Sequence, residues 1–433
     1  MPVAASLRRL KLTGVCAAAR GAVVEEIARQ NPAPVHIVVL KDFKEAEQIA
    51  EDIAFFHDHA AGAKNLEVLV FPESMPENTD MREAFAVSAD RLTVLSRLRA
   101  TRVIRGSGNE RESGTAAPSA RSTLHSVLVV TTPAALLQPV PALEAFATRE
   151  LTLKKGQAQS FQGLLEKLRE LDYDSEAVCE APGHYAIRGG IIDIYPITAN
   201  QPYRLDFFGD EIEEIRAFDP VTQRSGEPVE EISLSTSPRV RLDPSKTGIA
   251  DYLTPRSHLI FIEPAELDQT FSELARESGN DGLAPLLQRS ALAIGVSDLD
   301  EASALFEDAP DEATWNTESL AHHRSYSDEG LVAQERLQVE EEARRGFLLQ
   351  TLTWQKNGES IVFVVSKEGE EQRIREILEE DRQLTALKPL FLRGSLNEGF
   401  RILAPTRGTS DAAPIASTPT GEFRARLHWR SAK

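Results

Sequence analysis

The sequence predicts a multi-domain α/β protein. In the first part of the chain, short runs of apolar, mostly β-branched residues such as 35–40 alternate with stretches that carry apolar residues at helical spacing. Alternation of strand and helix is typical of a parallel sheet with helices on its faces. The length of 433 residues agrees, because domains of about 100–200 residues would give roughly two to four of them.

The first α/β unit is expected over residues 1–138. Strands are predicted at 35–40, 66–71 and 127–131, and helices at 43–53 and 81–99. Asp42 is a suitable N-cap for the helix that follows it. Residues 105–123, RGSGNERESGTAAPSARST, have no periodicity and are predicted to be a flexible surface insertion.

Further segments follow from changes in pattern and composition. In chain order, they are a mixed α+β region (139–236), a further mixed region (237–328), a charged connector helix (329–356), a small α/β domain (357–400) and a poorly ordered tail (401–433). Within residues 139–236, Ser160 is the expected N-cap of an amphipathic helix, and several strands follow that helix.

Composition narrows the class of function. The 48 basic and 67 acidic residues give a net charge of −19, which argues against a chain whose main role is to coat nucleic acid. The two cysteines, Cys16 and Cys179, do not suggest a disulfide framework and favour a reduced, cytoplasmic protein. No apolar run approaches the roughly 18 residues of a membrane span, so no membrane association is expected.

The most informative segment lies between residues 201 and 218. Side chains of one parity are apolar and belong on a core: Tyr203, Leu205 and Phe207. Side chains of the other parity belong on the opposite, polar face: Arg204, Asp206 and Phe208. A tight turn is expected at 209–210, and a bulge near 213–214 would place Ile212 and Ile215 on the same side of the returning strand.

Two interpretations of this polar face are open. A glycine pair at 189–190 predicts a turn, and Arg188 precedes it, so two arginines and Phe208 would form a docking surface, since arginine and aromatic side chains dominate many protein interfaces. In the plainer alternative, Phe208 folds back against a helix and Arg204 pairs with a carboxylate of the same hairpin. The pattern alone favours this alternative, because scattered exposed apolar residues are common.

A family resemblance changes the balance. HYAIRGGIIDIYPI, followed by PYRLDFFGDEIEEIRAFDPVTQRS, closely resembles bacterial transcription-repair coupling factors, and KKGQ at 154–157 and FPESMPENTD agree with them in order. The same module occurs in the excision-repair helicase UvrB, and in both families it docks onto UvrA. The resemblance covers roughly residues 1–400. It implies a role in nucleotide excision repair of DNA. It also implies a degenerate, helicase-like α/β domain made of residues 1–138 and 237–328, with a UvrA-interaction domain inserted between them at 139–236.

The resemblance also implies which residues contact UvrA. In the family these are an arginine before the small-residue pair and the arginine and second phenylalanine of PYRLDFF, which fall on Arg188, Arg204 and Phe208. Strand parity independently places Arg204 and Phe208 on the polar face, whereas Arg188 rests on the resemblance. Asp206 is a further candidate, because it shares that face.

A nucleotide site is not expected. A P-loop requires G-x4-G-K-[ST], whose amides cradle phosphate, whose lysine reaches the terminal oxygens and whose hydroxyl holds Mg²⁺. Reading from Gly14, the last three motif positions are taken by Ala19, Arg20 and Gly21, and an arginine does not replace that lysine. Glu263, which ends a predicted strand, is interpreted as structural. We therefore expect no catalytic residue, cofactor or metal, against the alternative of a UvrB-like, DNA-dependent ATPase or helicase subunit.

The family pattern stops near residues 399–400, and no motor motif is present. The chain is therefore expected to be the front half of a coupling factor that ends early, acting as a non-catalytic adaptor or, alternatively, lacking an independent role. UvrA is the expected partner. A separate motor-bearing coupling-factor chain and RNA polymerase are further expected partners, and DNA would be reached only indirectly.

Overall fold

The computed structural model describes residues 7–60, 66–75, 81–106, 126–237, 247–278, 283–323 and 333–403. The protein is a mixed α/β fold with one large parallel sheet and separate smaller sheets, as the sequence predicts at that level. Most of the predicted insertion at 105–123 and residues 404–433 lie outside the described residues. Among the helices that are described, none is long and apolar enough to cross a membrane.

The strands, in chain order, are β1 (Arg8–Thr13), β2 (Val35–Val39), β3 (Leu66–Phe71), β4 (Ser126–Thr131), β5 (Glu150–Lys154), β6 (Asp174–Ser175), β7 (His184–Arg188), β8 (Ile191–Ile194), β9 (Tyr203–Phe208), β10 (Glu211–Phe218), β11 (Ser225–Pro228), β12 (Glu231–Ser235), β13 (Ser257–Ile262), β14 (Ser290–Val296), β15 (Asp311–Thr314), β16 (Thr317–Ser319), β17 (Val362–Val365), β18 (Leu390–Arg393) and β19 (Phe400–Ile402).

The helices are α1 (Arg20–Gln30), α2 (Phe43–His59), α3 (Met81–Gly106), α4 (Pro133–Leu137), α5 (Leu143–Ala147), α6 (Phe161–Glu170), α7 (Pro264–Ser278), α8 (Leu283–Gln288), α9 (Ala333–Lys356) and α10 (Glu368–Glu380). The two predicted caps are present: the Asp42 carboxylate accepts from the Glu45 amide, and the Ser160 hydroxyl oxygen accepts from the Gly163 amide. These caps fix where α2 and α6 begin.

The large sheet has seven parallel strands in the order β15-β1-β14-β13-β2-β4-β3. β13 and β14, which follow residues 139–236 in sequence, lie between β1 and β2 in the sheet. Successive residues of β2 pack into different cores, because Ile37 contacts the apolar cluster on one face and Val38 the cluster on the other. A sheet covered on both faces accounts for the unbroken apolar run in this part of the sequence.

Residues of the predicted UvrA-interaction domain, 139–236, form a six-stranded sheet in the order β11-β10-β9-β8-β7-β6. Its pairs are antiparallel except for β6 with β7. One face packs on α6, through side chains that include Leu164, Leu165 and Leu168. The opposite face carries the predicted polar residues.

The end of the described chain departs from expectation in two places, and the connector helix is present where it is described. The sequence predicts a buried strand at 361–365, but of the residues of β17 only Val365 is buried, because β17 pairs with β18 alone in a two-stranded sheet. The predicted tail 401–433 is not irregular from its start, because β19 pairs with β16. The connector helix predicted at 329–356 is described from Ala333, where α9 begins.

Candidate docking face

The hairpin of β9 and β10 has the predicted parity. Leu205, Ile212 and Ile215 are completely buried in the core beneath α6. The register between the two strands shifts between Ile212 and Glu214, which is the expected bulge. Gly209 has a φ of 62°, so the tight turn uses the left-handed backbone that glycine adopts readily. The bulge is what allows two isoleucines three residues apart to share one core.

The opposite surface of the six-stranded sheet is called the docking face here, and its defining residues are Arg188, Asp193, Arg204, Asp206 and Phe208. In the pairing of β8 with β9, Asp193 lies opposite Arg204, and Ile191 lies opposite Asp206. The structure therefore brings the four predicted site residues to one surface, and it adds a carboxylate from the neighbouring strand.

Arg204 forms an ion pair with Asp193, and not with a carboxylate of its own hairpin. Its Nε and Nη2 donate to the two Asp193 carboxylate oxygens at 2.7 and 2.9 Å. Asp193 has no solvent exposure, so the bidentate pair satisfies a buried charge. Hydrogen bonding to Asp193 raises the pKa of Arg204. The guanidinium also stacks 4.8 Å from the ring centroid of Phe218.

The remaining nitrogen of Arg204 is also occupied. Nη1 donates to the Ser225 hydroxyl at 3.1 Å and lies 3.5 Å from the Gln223 carbonyl oxygen. The Arg204 side chain is only 15% exposed. Its guanidinium therefore ties β9 to the segment after β10 and presents little of itself to solvent.

Arg188 and Phe208 are more accessible. The Arg188 side chain is 43% exposed, with Nη2 donating to the Gln223 side-chain oxygen at 3.2 Å and Nε 3.9 Å from Asp193. Phe208 is 79% exposed, so the alternative in which it folds back against a helix is wrong. A phenylalanine held on an ordered strand and exposed to water is available for contact with a partner.

Asp206 lies at the acidic end of the docking face. It lines an open cleft of about 600 Å³ together with Lys155, Gly190, Ile191, Phe207, Glu213 and Glu214. Three carboxylates and one lysine give this end a net negative character, whereas the end near Arg188 is positive. A partner would have to match both signs along one surface.

The residues 219–224 form a closed loop beside the arginines, called the 219–224 loop below. The Asp219 carboxylate accepts from the amides of Val221 and Thr222 at 2.8 and 2.9 Å, and the Asp219 amide donates to the Arg224 carbonyl oxygen. Gln223 has a φ of 59°, which is unusual for a residue with a side chain. Val221 is 89% exposed. Sequence reasoning missed this loop, although the Asp-Pro at its start is a turn signal.

The position where a P-loop would lie is occupied by internal contacts. The amides of Gly14 and Val15 donate to the carbonyl oxygens of Asp298 and Ser297, each at 3.0 Å. The Cys16 amide donates to the Thr317 hydroxyl oxygen at 2.8 Å. Gly14 has a φ of 73°, and a Cβ there would lie 1.9 Å from a backbone oxygen of the β15–β16 connection. The amides of Gly14, Val15 and Cys16 therefore already form hydrogen bonds within the protein.

Arg20, at the position of the P-loop lysine, is held by two glutamates. It donates to Glu45 at 2.5 Å and pairs with Glu263, the acidic residue that follows β13. Its side chain is 11% exposed. Within the residues that the structure describes, no group of three or more histidine, cysteine, aspartate or glutamate side chains could hold a metal ion.

Comparison with known proteins supports the resemblance. The family model of the UvrB interaction domain matches residues 151–238, which include the six-stranded sheet, the docking face and the 219–224 loop. The matched residues contain both of the motifs that carry the sequence resemblance.

Curated relatives extend the match beyond this domain. The chain is 24% identical to the transcription-repair-coupling factor of Bacillus subtilis over 56% of its own length, and 28% identical to that of Myxococcus xanthus over 64%. It is 29% identical to the Escherichia coli protein of the same name over 54% of the chain. The matched segments cover 18%, 22% and 18% of these relatives, so the chain spans about a fifth of their length.

Proposed function

We propose that this chain is a non-catalytic adaptor that recruits UvrA in nucleotide excision repair of DNA through its docking face. The observation that carries the proposal is the match of residues 151–238 to the UvrB interaction domain, on a sheet whose outer surface presents Phe208 and Arg188. Similarity to transcription-repair-coupling factors supports repair coupled to transcription as the setting.

The physical case for docking rests on Phe208 and Arg188. Fully burying a phenylalanine that was exposed contributes about 1.5–3 kcal/mol, and Phe208 starts from 79% exposure on an ordered strand. Arg188 keeps part of its guanidinium in solvent, where it is able to pair with a carboxylate of the partner. An aromatic anchor with an arginine beside it is the composition expected of an energetic centre in an interface.

The non-catalytic character is supported by the contacts at the P-loop position. Phosphate binding there needs free backbone amides and a lysine, but the amides of Gly14, Val15 and Cys16 already donate to protein oxygens. Arg20 is neutralised by Glu45 and Glu263. Nucleotide binding would have to break these hydrogen bonds and separate a largely buried ion pair.

A binding measurement tests the adaptor role. We expect purified UvrA to bind the full chain, and Phe208→Ala to weaken binding at least tenfold, which corresponds to about 1.4 kcal/mol. Arg188→Ala should also weaken it. The matched control is Leu299→Ala, because Leu299 is 66% exposed but lies outside the six-stranded sheet. Unchanged affinity in both docking-face variants would contradict the site.

An ATPase assay tests the absence of catalysis. The pure chain is expected to hydrolyse no ATP, with or without single- or double-stranded DNA. DNA-stimulated turnover that follows the protein through purification would favour the alternative of a UvrB-like ATPase subunit.

A further inference from the structure

We propose that the 219–224 loop is a second contact of the docking face, with Val221 as its apolar contact residue, and that Arg204 supports binding by holding this loop. The inference rests on the proposed function, because the occupant is the same partner, UvrA. It changes the assignment of residues within the site: Val221 is added as a contact, and Arg204 becomes a positioning residue.

The first support is the distribution of exposed apolar side chains. In the described part of the chain, five large apolar residues are exposed, and two of them, Phe208 and Val221, belong to the docking face or to this loop. Val221 has the largest exposed fraction of the five, at 89%. Phe208 and Val221 are the two most exposed of the five, so both side chains are available for contact with one partner.

The second support is the order of the loop. Asp219 accepts from two loop amides, the Gln223 amide donates back to the Asp219 carbonyl at 2.8 Å, and the Gln223 side chain donates to Pro220 at 2.6 Å. Gln223 keeps a left-handed backbone that costs free energy and persists only where surrounding contacts impose it. A loop held in this way presents Val221 without a large loss of conformational entropy on binding.

The third support is the position of the arginines. Arg204 donates to the Gln223 carbonyl oxygen and the Ser225 hydroxyl oxygen, and Arg188 donates to the Gln223 side-chain oxygen. Both arginines therefore hold Gln223. The nitrogens of Arg204 are all engaged within the chain, whereas Arg188 remains 43% exposed. Of the two, Arg188 is the one able to meet a partner carboxylate.

These positions define what the partner must offer. Phe208 lies four residues along β9 from Arg204, which is about 13 Å. The loop lies beside Arg204 and Arg188. The partner surface should therefore carry an apolar patch for Phe208, a second one for Val221, and a carboxylate near the second patch that pairs with Arg188.

The test measures UvrA affinity and loop order in the same variants of the full chain. Val221→Asp is expected to weaken binding at least tenfold without changing the melting temperature, because the side chain has no packing to lose. Leu299→Asp, which places the same charge at another exposed apolar position, should bind as the unchanged chain does. Val221→Ala should lie between the two.

Arg204→Lys tests the positioning role, because lysine keeps the charge but not the fork that reaches both Asp193 and Ser225. It should weaken binding and, in the free chain, speed hydrogen exchange at the amides of Val221, Thr222 and Gln223. Arg188→Lys should change that exchange less, because Arg188 contacts the loop only through the Gln223 side chain, whereas Arg204 contacts the Gln223 backbone and Ser225.

The outcomes separate this inference from the proposed function. If Phe208→Ala weakens binding but Val221→Asp does not, the loop is not a contact, and the adaptor role stands. If Arg204→Lys weakens binding while loop exchange is unchanged, Arg204 contacts the partner directly. If the unchanged chain does not bind UvrA, the proposed function fails, and the assignment of the loop fails with it.

Discussion

Asp193 decides what Arg204 is able to do. A carboxylate without solvent exposure needs a partner within the fold, and the bidentate pair supplies it. The same pair withdraws Arg204 from solvent. The resemblance implies that Arg204 contacts the partner, but in the structure its guanidinium is engaged by Asp193. The more exposed side chains of the docking face are Arg188 and Phe208.

Arg204→Ala should lower the free energy of unfolding by about 3 kcal/mol, because it leaves the buried Asp193 charge without its partner. Arg188→Ala, which removes an exposed arginine from the same face, should cost no more than about 0.5 kcal/mol. Urea denaturation of both variants makes the comparison. Equal stability would mean that the Asp193 pair contributes little.

A histidine pair in the large sheet predicts a pH dependence. His36 on β2 lies opposite His258 on β13, with ring centroids 5.2 Å apart, and within the described residues neither His36 ring nitrogen has a hydrogen-bond partner. Burial, with the neighbouring His258 adding to it, lowers the pKa of His36 from 6.5 to about 3. Burial lowers the pKa of His258 to about 4.

Because both folded pKa values lie below the unfolded value, the unfolded chain binds protons first as the pH falls. Titration of the two histidines should not affect the free energy of unfolding above about pH 7. From pH 6.5 towards pH 4 it should lower the free energy of unfolding by roughly 1.4 kcal/mol per pH unit for each histidine. Denaturation curves at pH 7 and 5 measure the decline. A His36→Leu, His258→Leu double variant should lose most of it, and an unchanged slope would exclude the pair as its source.

At the level of secondary structure, local rules worked where one residue or one period decides the outcome. The α2 and α6 caps, the hairpin turn and the bulge were predictable, because each depends on residues close in sequence. α3 continues to Gly106, beyond the expected end at residue 99, over a stretch without proline. The apolar run of β17 predicts a buried strand. The prediction is wrong for most of its residues, because an apolar run does not reveal how many strands flank it, and β17 has only β18 beside it.

Asp42→Ala should destabilise the protein by about 1 kcal/mol, because the Glu45 amide loses its acceptor at the start of α2. Lys44→Ala, at an exposed position of the same helix, should stay within about 0.5 kcal/mol of the unchanged chain. Thermal unfolding of the two variants distinguishes loss of a cap from a general effect of truncating a surface side chain.

For the whole molecule, long-range contacts join the last described segment to the helices of the large sheet. An apolar cluster brings Phe55 and Phe56 of α2 together with Leu392 of β18. Asn397 donates to the Asp52 carboxylate from its amide at 3.2 Å and from its side chain at 3.1 Å. Residues separated by more than 300 positions thus form one packed surface, while the predicted domain boundaries stay predictions.

Gly394 tests this packing. A Cβ there would lie 2.5 Å from the Phe55 ring, whereas at Gly358 no atom lies within 4 Å, and both residues have positive φ values, 150° and 94°. Alanine at either site should cost about 1 kcal/mol of backbone strain. Only Gly394→Ala should lose a further 1–3 kcal/mol or so to overpacking. Equal losses in urea denaturation would contradict the close contact.

The amino-acid sequence by itself determined the α/β class, the parity of β9 and the resemblance that points to the docking face, because these depend on local period and motif. Only the tertiary structure decided that β13 and β14 lie between β1 and β2, that Asp193 pairs with Arg204, and that Gln223 of the 219–224 loop contacts both arginines. Strand order and cross-strand pairing join residues far apart in the chain, and no local pattern encodes which of them meet.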